Sequence, residues 1–318
     1  MKKNILITGV TGFIGFNIAY ELLNSNNIFG IDNFDNYYSS KIKYERLKIL
    51  KNKKNFSFKK IDIINFDKLN KFISTNNIEI IIHLAAQAGV RYSYINPEKY
   101  INSNIFGFLN VVWSANINKI KKIIYASSSS VYGENKNFPL NEKNILKPKN
   151  IYAVSKKINE ETAELYQNLT KIKFIGLRFF TIFGEWGRPD MFLFKLFKAY
   201  KLGKILELNN FGNHQRDFTY IKDVTKIIKK LIVKRTIKHE IVNLCSNQPK
   251  DIFKIVSKFK KDKKLKIKLS NLHKADVLKT HGDNNKIKKL LKIKSFSNFE
   301  ESFLETFEWY ENNNFHKF

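Results

Sequence analysis

The chain has 318 residues and 43% hydrophobic content, enough to bury a full core and too apolar for a largely disordered protein. No apolar run approaches bilayer length, the N-terminus enters a strand pattern with no cleavable leader, and the single cysteine, Cys245, excludes an internal disulfide or a cysteine-based zinc site, so a reducing, cytoplasmic setting is expected. The net charge of +29 raises nucleic-acid or anionic-membrane binding, but the lysine excess is spread along the chain, and its densest run, Lys258 to Lys268, carries no alternation of base-stacking aromatics. A solvated lysine-rich surface with no specific nucleic-acid partner is expected.

In chain order, a strand is expected over Asn4–Thr8. It runs into Thr8-Gly9-Val10-Thr11-Gly12-Phe13-Ile14-Gly15 and then a helix near Phe13–Leu23. The spacing is G-x-x-G-x-x-G. Gly9 suits a tight turn, Gly12 a close approach of backbone to ligand, and Gly15 close packing of the helix on the sheet. A strand, a glycine turn and a helix start lay N–H groups and a positive helix end against a pyrophosphate. The second strand, Ile28–Asp32, ends about twenty residues on in an acid placed to accept from an adenosine ribose. A carboxylate at Asp32 repels a 2′-phosphate, and no arginine follows closely, so NAD is favoured over NADP.

Further strands are expected over Phe56–Ile61, Ile78–Leu84, Lys122–Ser127 and Lys173–Arg178, with helices near Lys41–Leu50, Phe66–Thr75, Pro97–Asn116 and Ile151–Leu169. The alternation predicts an α/β fold, a doubly wound parallel sheet with ligands beyond the carboxyl ends of its strands. After Phe180 the pattern loosens around loops at Gly184–Pro189 and Asn209–Asn213. Residues 1–180 are expected to form the dinucleotide-binding domain, with a returning segment near 210–245. Residues 181–318 would form mainly a smaller, interleaved substrate domain, with a polar tail at Asn312–Phe318 that frays.

Chemistry concentrates in two segments. The fifth strand ends in Ser127-Ser128-Ser129-Ser130-Val131-Tyr132-Gly133, and Tyr152-Ala153-Val154-Ser155-Lys156 opens a helix. Tyrosine and lysine four apart share a helical face. An ammonium and a cationic nicotinamide beside the phenol would lower its pKa from about 10, toward that of a base for a sugar hydroxyl. Arg178, at a strand end, reads as structural. Arg188 reads equally as loop anchor or substrate contact, His83 as a satisfied core histidine, and His214 as exposed. The six histidines show no metal spacing. Trp113 and its aromatic-rich helix read as core or dimer interface.

These motifs resemble the extended short-chain dehydrogenase/reductases of the NAD-dependent epimerase/dehydratase group, and within them the UDP-glucuronate 4-epimerases. The likeness runs from Lys3 to about Val224. It includes Asp32-Asn33 with Asp35-Asn36-Tyr37-Tyr38, the run His83–Ser93, Leu177–Thr181, Trp186–Met191 and Arg216–Tyr220. It implies an NAD-dependent isomerase, a UDP-sugar substrate, a homodimer through the helices Pro97–Asn116 and Ile151–Leu169, and a role in polysaccharide biosynthesis. It implies Ser128, Tyr152 and Lys156 as catalytic residues. Cofactor contacts would come from Gly9, Gly12, Phe13, Ile14, Gly15, Asp32, Asn33, Asp62, Ile63, Leu84, Ala85, Ala86 and Asn104, together with Tyr152 and Lys156. Substrate contacts would come from Ser128, Ser129, Ser130, Thr181, Arg188, Arg216 and Asp276. One departure stands out: Lys274-Ala275-Asp276 replaces the family's Pro-Gly-Asp, retaining only Asp276.

Alternatives share the ketone step. A dehydratase needs an added acid–base pair, and Ser127–Ser130 holds no carboxylate. A decarboxylase, or an epimerase of UDP-glucose or a UDP-N-acetylhexosamine, stays open. A non-enzymatic nucleic-acid-binding relative is suggested by the charge alone, and such a relative would be expected to lose the Tyr/Lys pair.

Overall fold

Alternate residues of the first strands divide between two cores. Ile5 and Ile7 join one, Leu6 the other; Ile80 and Ile82 face one way, Ile81 the other; Ile124 opposes Ile123 and Tyr125. A strand that is apolar on both faces has to be covered on both. In this computed structural model, which describes residues 2–235, 239–260 and 265–318, helices do so.

The strands are β1 (Asn4–Thr8), β2 (Asn27–Asp32), β3 (Phe56–Lys60), β4 (Ile80–His83), β5 (Lys122–Ser128), β6 (Lys173–Phe179), β7 (Thr181–Phe183), β8 (Ile205–Asn209), β9 (Gln215–Tyr220), β10 (Glu240–Leu244), β11 (Pro249–Asp251) and β12 (Lys266–Ser270). Seven of them form a parallel sheet in the order β10-β6-β5-β4-β1-β2-β3. Order reverses beside β1, so the crevice at a topological switch point opens over its carboxyl end. A three-stranded sheet, β11-β9-β7, and a parallel pair, β12-β8, lie outside the large one.

The helices are α1 (Phe13–Leu22), α2 (Ser40–Lys51), α3 (Phe66–Thr75), α4 (Pro97–Tyr100), α5 (Gly107–Ile117), α6 (Ile151–Leu169), α7 (Phe192–Leu202), α8 (Ile221–Val233), α9 (Ile252–Lys260), α10 (Asn285–Leu291) and α11 (Phe299–Asn312). The single helix expected over Pro97–Asn116 is broken by a π-helical turn, Ile101–Phe106. That turn widens the backbone at Asn104, whose carbonyl accepts from Asn159 Nδ2 of α6 at 2.7 Å. Among the described residues no helix is long and apolar enough to cross a membrane.

One expectation is corrected and another narrowed. The tail does not fray: Phe315 is buried against Phe194, Trp186, Trp309 and Tyr310, because an aromatic ring among others outweighs its polar neighbours. Trp113 is not core; it is half-exposed and stacks on Phe66. The middle of the lysine-rich run, residues 261–264, lies outside the described residues.

Arg178 is structural. It makes a bidentate pair with Glu160 of α6 at 2.9 and 2.7 Å, both residues buried, and reaches the Tyr132 hydroxyl at 2.9 Å. Ser127 Oγ also donates to Glu160. Removing one partner of a buried pair strands the other charge, so Glu160→Ala is expected to cost about 3–5 kcal/mol in urea unfolding. A loss below about 1 kcal/mol would contradict the packing described here.

Candidate active site

The turn after β1 closes because it lacks side chains. Gly9 has φ +68°, and a Cβ there would lie 2.8 Å from Ala85 N; one on Gly15 would lie 2.3 Å from Gly9 O. Gly12 N donates to Gly9 O at 3.0 Å. The turn therefore folds tightly under the N-terminus of α1, where Gly12, Phe13, Ile14 and Gly15 line a cleft of about 450 Å³. Asp32, at the end of β2, accepts from Thr11 N at 3.1 Å and Phe34 N at 2.9 Å, which fixes its carboxylate beside the turn. Asp62 accepts from Asn33 Nδ2 at 2.8 Å, and Ile63 follows it on the cleft wall.

After β4, Thr8 Oγ1 accepts from the N–H groups of Leu84 and Ala85, both at 3.1 Å, and therefore turns its own proton to His83 Nδ1 at 2.9 Å. His83 is thus a satisfied core histidine, pushed down to about 3 by burial and then by the charge of Lys156. Leu84, Ala85 and Ala86 reach the cleft. Asn104 does not. It lies one layer behind, bonded to Gln87 N and O and to Ser155 Oγ, where it shapes the wall.

Ser128, Ser129, Ser130, Tyr152, Lys156 and Thr181 share the same cleft. Asn150 caps α6 by accepting from Ala153 N at 2.9 Å, and this sets the first turn that carries Tyr152. Lys156 Nζ donates to Ala126 O of β5 at 2.9 Å. The expectation that this ammonium lowers the tyrosine is not met. Burial raises the Tyr152 phenol, and the opposing influences are a hydrogen bond with Ser128 and the charge of Arg188. Lys156 itself is pushed down to about 8 by burial.

Two arginines, Arg188 and Arg216, line the cleft. Arg188 grips Asp190 with two bonds, at 2.9 and 2.5 Å, and Tyr37 Oη donates to the same carboxylate at 3.3 Å. Burial opposes the Arg188 charge, but Asp190 outweighs it and raises the pKa. Arg216 is pushed down to about 10 by burial, while Asp276 supports its charge. Asp276 is held by Arg91 at 3.1 and 2.7 Å. His214, expected exposed, is 7% exposed and 3.9 Å from Asp276, because β9 carries it inward. Asp190 was legible two residues from Arg188; the Arg91–Asp276 pair spans 185 residues and left no local signal.

The site residues fit a dinucleotide: a turn that only glycines close, a carboxylate at the end of β2, and a cleft joining both to the Tyr/Lys pair. No group of three His, Cys, Asp or Glu able to hold a metal occurs among the described residues.

Residues 5–245 match the NAD dependent epimerase/dehydratase family. The chain is 44% identical over 317 residues to an uncharacterized protein of Methanocaldococcus jannaschii, covering 98% of this chain and 97% of the relative. It is 38% identical over 314 residues to a UDP-glucuronate 4-epimerase of Thermodesulfobacterium geofontis, covering 97% and 96%. The crystal structure of UDP-glucuronic acid 4-epimerase from Bacillus cereus, in complex with UDP-glucuronic acid and NAD, superposes with a TM-score of 0.91 at 28% identity, covering 98% and 99%.

The depressed Lys156 carries a stability signature. The unfolded chain keeps this proton up to about pH 10.4, whereas the folded protein releases it from about 8, so folding is favoured as pH rises through that window. In cofactor-free protein, Lys156→Met is expected to be more stable than the parent at pH 7, with the difference shrinking toward pH 10. Urea unfolding across pH checks this, and a pH-independent difference would contradict it.

Proposed function

We propose a UDP-glucuronate 4-epimerase activity for this chain, which belongs to the NAD dependent epimerase/dehydratase family. The observation that carries the reading is the cleft's composition: Ser128, Ser129, Ser130 and Thr181 bring hydroxyls to the Tyr152 phenol, with Arg188 across from them and no carboxylate at the end of β5. A dehydratase would need such a carboxylate.

The glycine turn, Asp32, Asn33, Asp62, Ile63, Leu84, Ala85, Ala86 and Lys156, all on the cleft wall, would hold NAD, which when bound would supply the hydride acceptor and donor and a positive charge near the phenol. Tyr152 takes the proton of the sugar 4-OH and later returns it, giving a transient 4-keto sugar and no net redox change. Ser128 Oγ, fixed by accepting from Ser130 N at 3.1 Å, steadies the phenol and the sugar oxygen. Lys156, anchored on Ala126 O, keeps α6 in place and offers its ammonium to the nicotinamide ribose. The serine and threonine hydroxyls and Arg188 hold the glucuronate carboxylate. Arg216 takes the diphosphate, and Asp276 the uridine side. Residues 181–318, less the strand β10 that joins the large sheet, serve as the substrate domain.

A homodimer is the second part of the reading. Phe106, Leu109, Trp113 and Ile117 form one exposed stripe along the π-helical turn and α5, and Leu165 and Leu169 extend it on α6. The stripe is contiguous rather than scattered, as expected of a face that a second surface covers. A cytoplasmic location suits the lone buried Cys245.

Incubation of the purified protein with UDP-glucuronate, followed by NMR, is expected to yield UDP-galacturonate without CO₂; a pentose product or unchanged sugar would overturn the substrate reading. Tyr152→Phe should lose at least about 10²–10⁴-fold in turnover while retaining bound dinucleotide by absorbance. Near-parental turnover would remove the phenol from its role. In sedimentation the parent should run at twice the 37.4 kDa chain mass, and a Phe106→Lys/Trp113→Lys double variant as a monomer; a double variant that stays dimeric would place the interface elsewhere.

A further inference from the structure

Arg46 is the largest fully buried side chain, and the epimerase chemistry does not use it. It projects from α2, and no carboxylate lies within ion-pair distance of it among the described residues. Instead its guanidinium is spread over neutral acceptors on three separate segments. Nη1 donates to Thr11 O at 2.9 Å and to the Tyr38 hydroxyl at 3.2 Å. Nη2 donates to Trp186 O at 2.5 Å and to Gly187 O at 3.2 Å. Nε has no hydrogen-bond partner.

Burying a cation this way is costly, and a fold that merely needed filling would take an apolar residue there. What the cation does is join two loops. Thr11 lies inside the glycine turn, and Trp186 and Gly187, which immediately precede Arg188, lie some 140 residues from Arg46. A planar fork reaches both sets of carbonyls at once, which a lysine ammonium does not.

The second loop is built to be held. Trp186 has φ +60°, and a Cβ on Gly187 would meet the Phe194 ring at 2.2 Å. The Trp186 ring packs on Phe16 of α1 and on Trp309. From α1, Asn17 Nδ2 donates to Glu185 O at 3.2 Å. The loop that carries Arg188 is therefore hung from α1, which follows the phosphate turn, and from α2, whose Arg46 also grips that turn.

We propose that Arg46 is a positioning residue that sets Arg188 in register with the phosphate turn, and so determines selectivity for a sugar that bears a carboxylate. It touches neither substrate nor cofactor and acts through the loop. This rests on the epimerase reading of the cleft. A displacement of about 1 Å in a charged clamp is enough to lose most of its binding advantage.

The test measures affinities of the NAD-loaded enzyme for UDP-glucuronate and for UDP-glucose, which differ at this point only by carboxylate against hydroxymethyl. The parent should prefer UDP-glucuronate. Arg46→Met should reduce that preference about tenfold or more, the size of a lost charge-assisted contact, with UDP-glucose affinity changed less than about twofold. Arg46→Lys should move in the same direction because it keeps the charge but not the fork. Should the methionine variant fail to fold, Arg46→Lys and Asn17→Ala carry the test, the latter with a smaller loss of the same sign. Equal weakening of both ligands, or an unchanged preference in these variants, would overturn the inference. A parent with no preference for UDP-glucuronate would overturn the substrate reading instead.

Discussion

A buried ammonium held by a main-chain carbonyl orders the site. Lys156 donates to Ala126 O, and this bond crosses from α6 to the last residues of β5. It fixes the rotation of α6 about its own axis, so that Tyr152, one turn earlier, stands beside Ser128 rather than over solvent. Because no carboxylate pairs with Lys156 among the described residues, its charge is felt nearby. His83 is held neutral partly by it.

The cleft's other charges are arranged differently. Arg188 is paired with Asp190, whereas Arg216 donates to the carbonyls of Gln215 and Leu278 and has its charge supported by Asp276 without an ion pair. An anionic sugar entering between Arg188 and the serine run meets an arginine whose geometry is already set by Asp190 and hydroxyls that add no charge of their own. Pairing of this kind favours recognition by shape and hydrogen-bond direction over simple attraction. The +29 charge of the chain acts on a longer range, raising the local concentration of diphosphates without selecting among them.

Much of this was legible along the chain because it is local. Short continuous apolar runs mark β1 and β4, a glycine turn leaves its spacing in the sequence, and Tyr152 and Lys156 declare themselves by sitting one helical turn apart. The parts that escaped are those made by contacts between distant segments. Asn104 retreats behind the wall because a π-helical turn, invisible in an apolar pattern, redirects it. His214 and Phe315 are polar-flanked residues drawn inward by partners far along the chain. Arg91 and Asp276 lie 185 residues apart and Arg46 and Trp186 140, and nothing local to any of these segments says that they meet. The influence of Lys156 on Tyr152 was expected to be direct and is instead geometric, since its hydrogen bond goes to the backbone.

The central claim is that the Tyr152 phenol takes a hydroxyl proton at C4 while the carbon-bound hydrogens of the sugar never reach solvent. Running the epimerisation in deuterium oxide tests it most directly. The account predicts a UDP-galacturonate product, read by proton NMR and mass, that keeps protium at both C4 and C5. Deuterium at C4 would show that the C4 hydrogen leaves as a proton rather than as a hydride, and that would contradict the mechanism built on Tyr152.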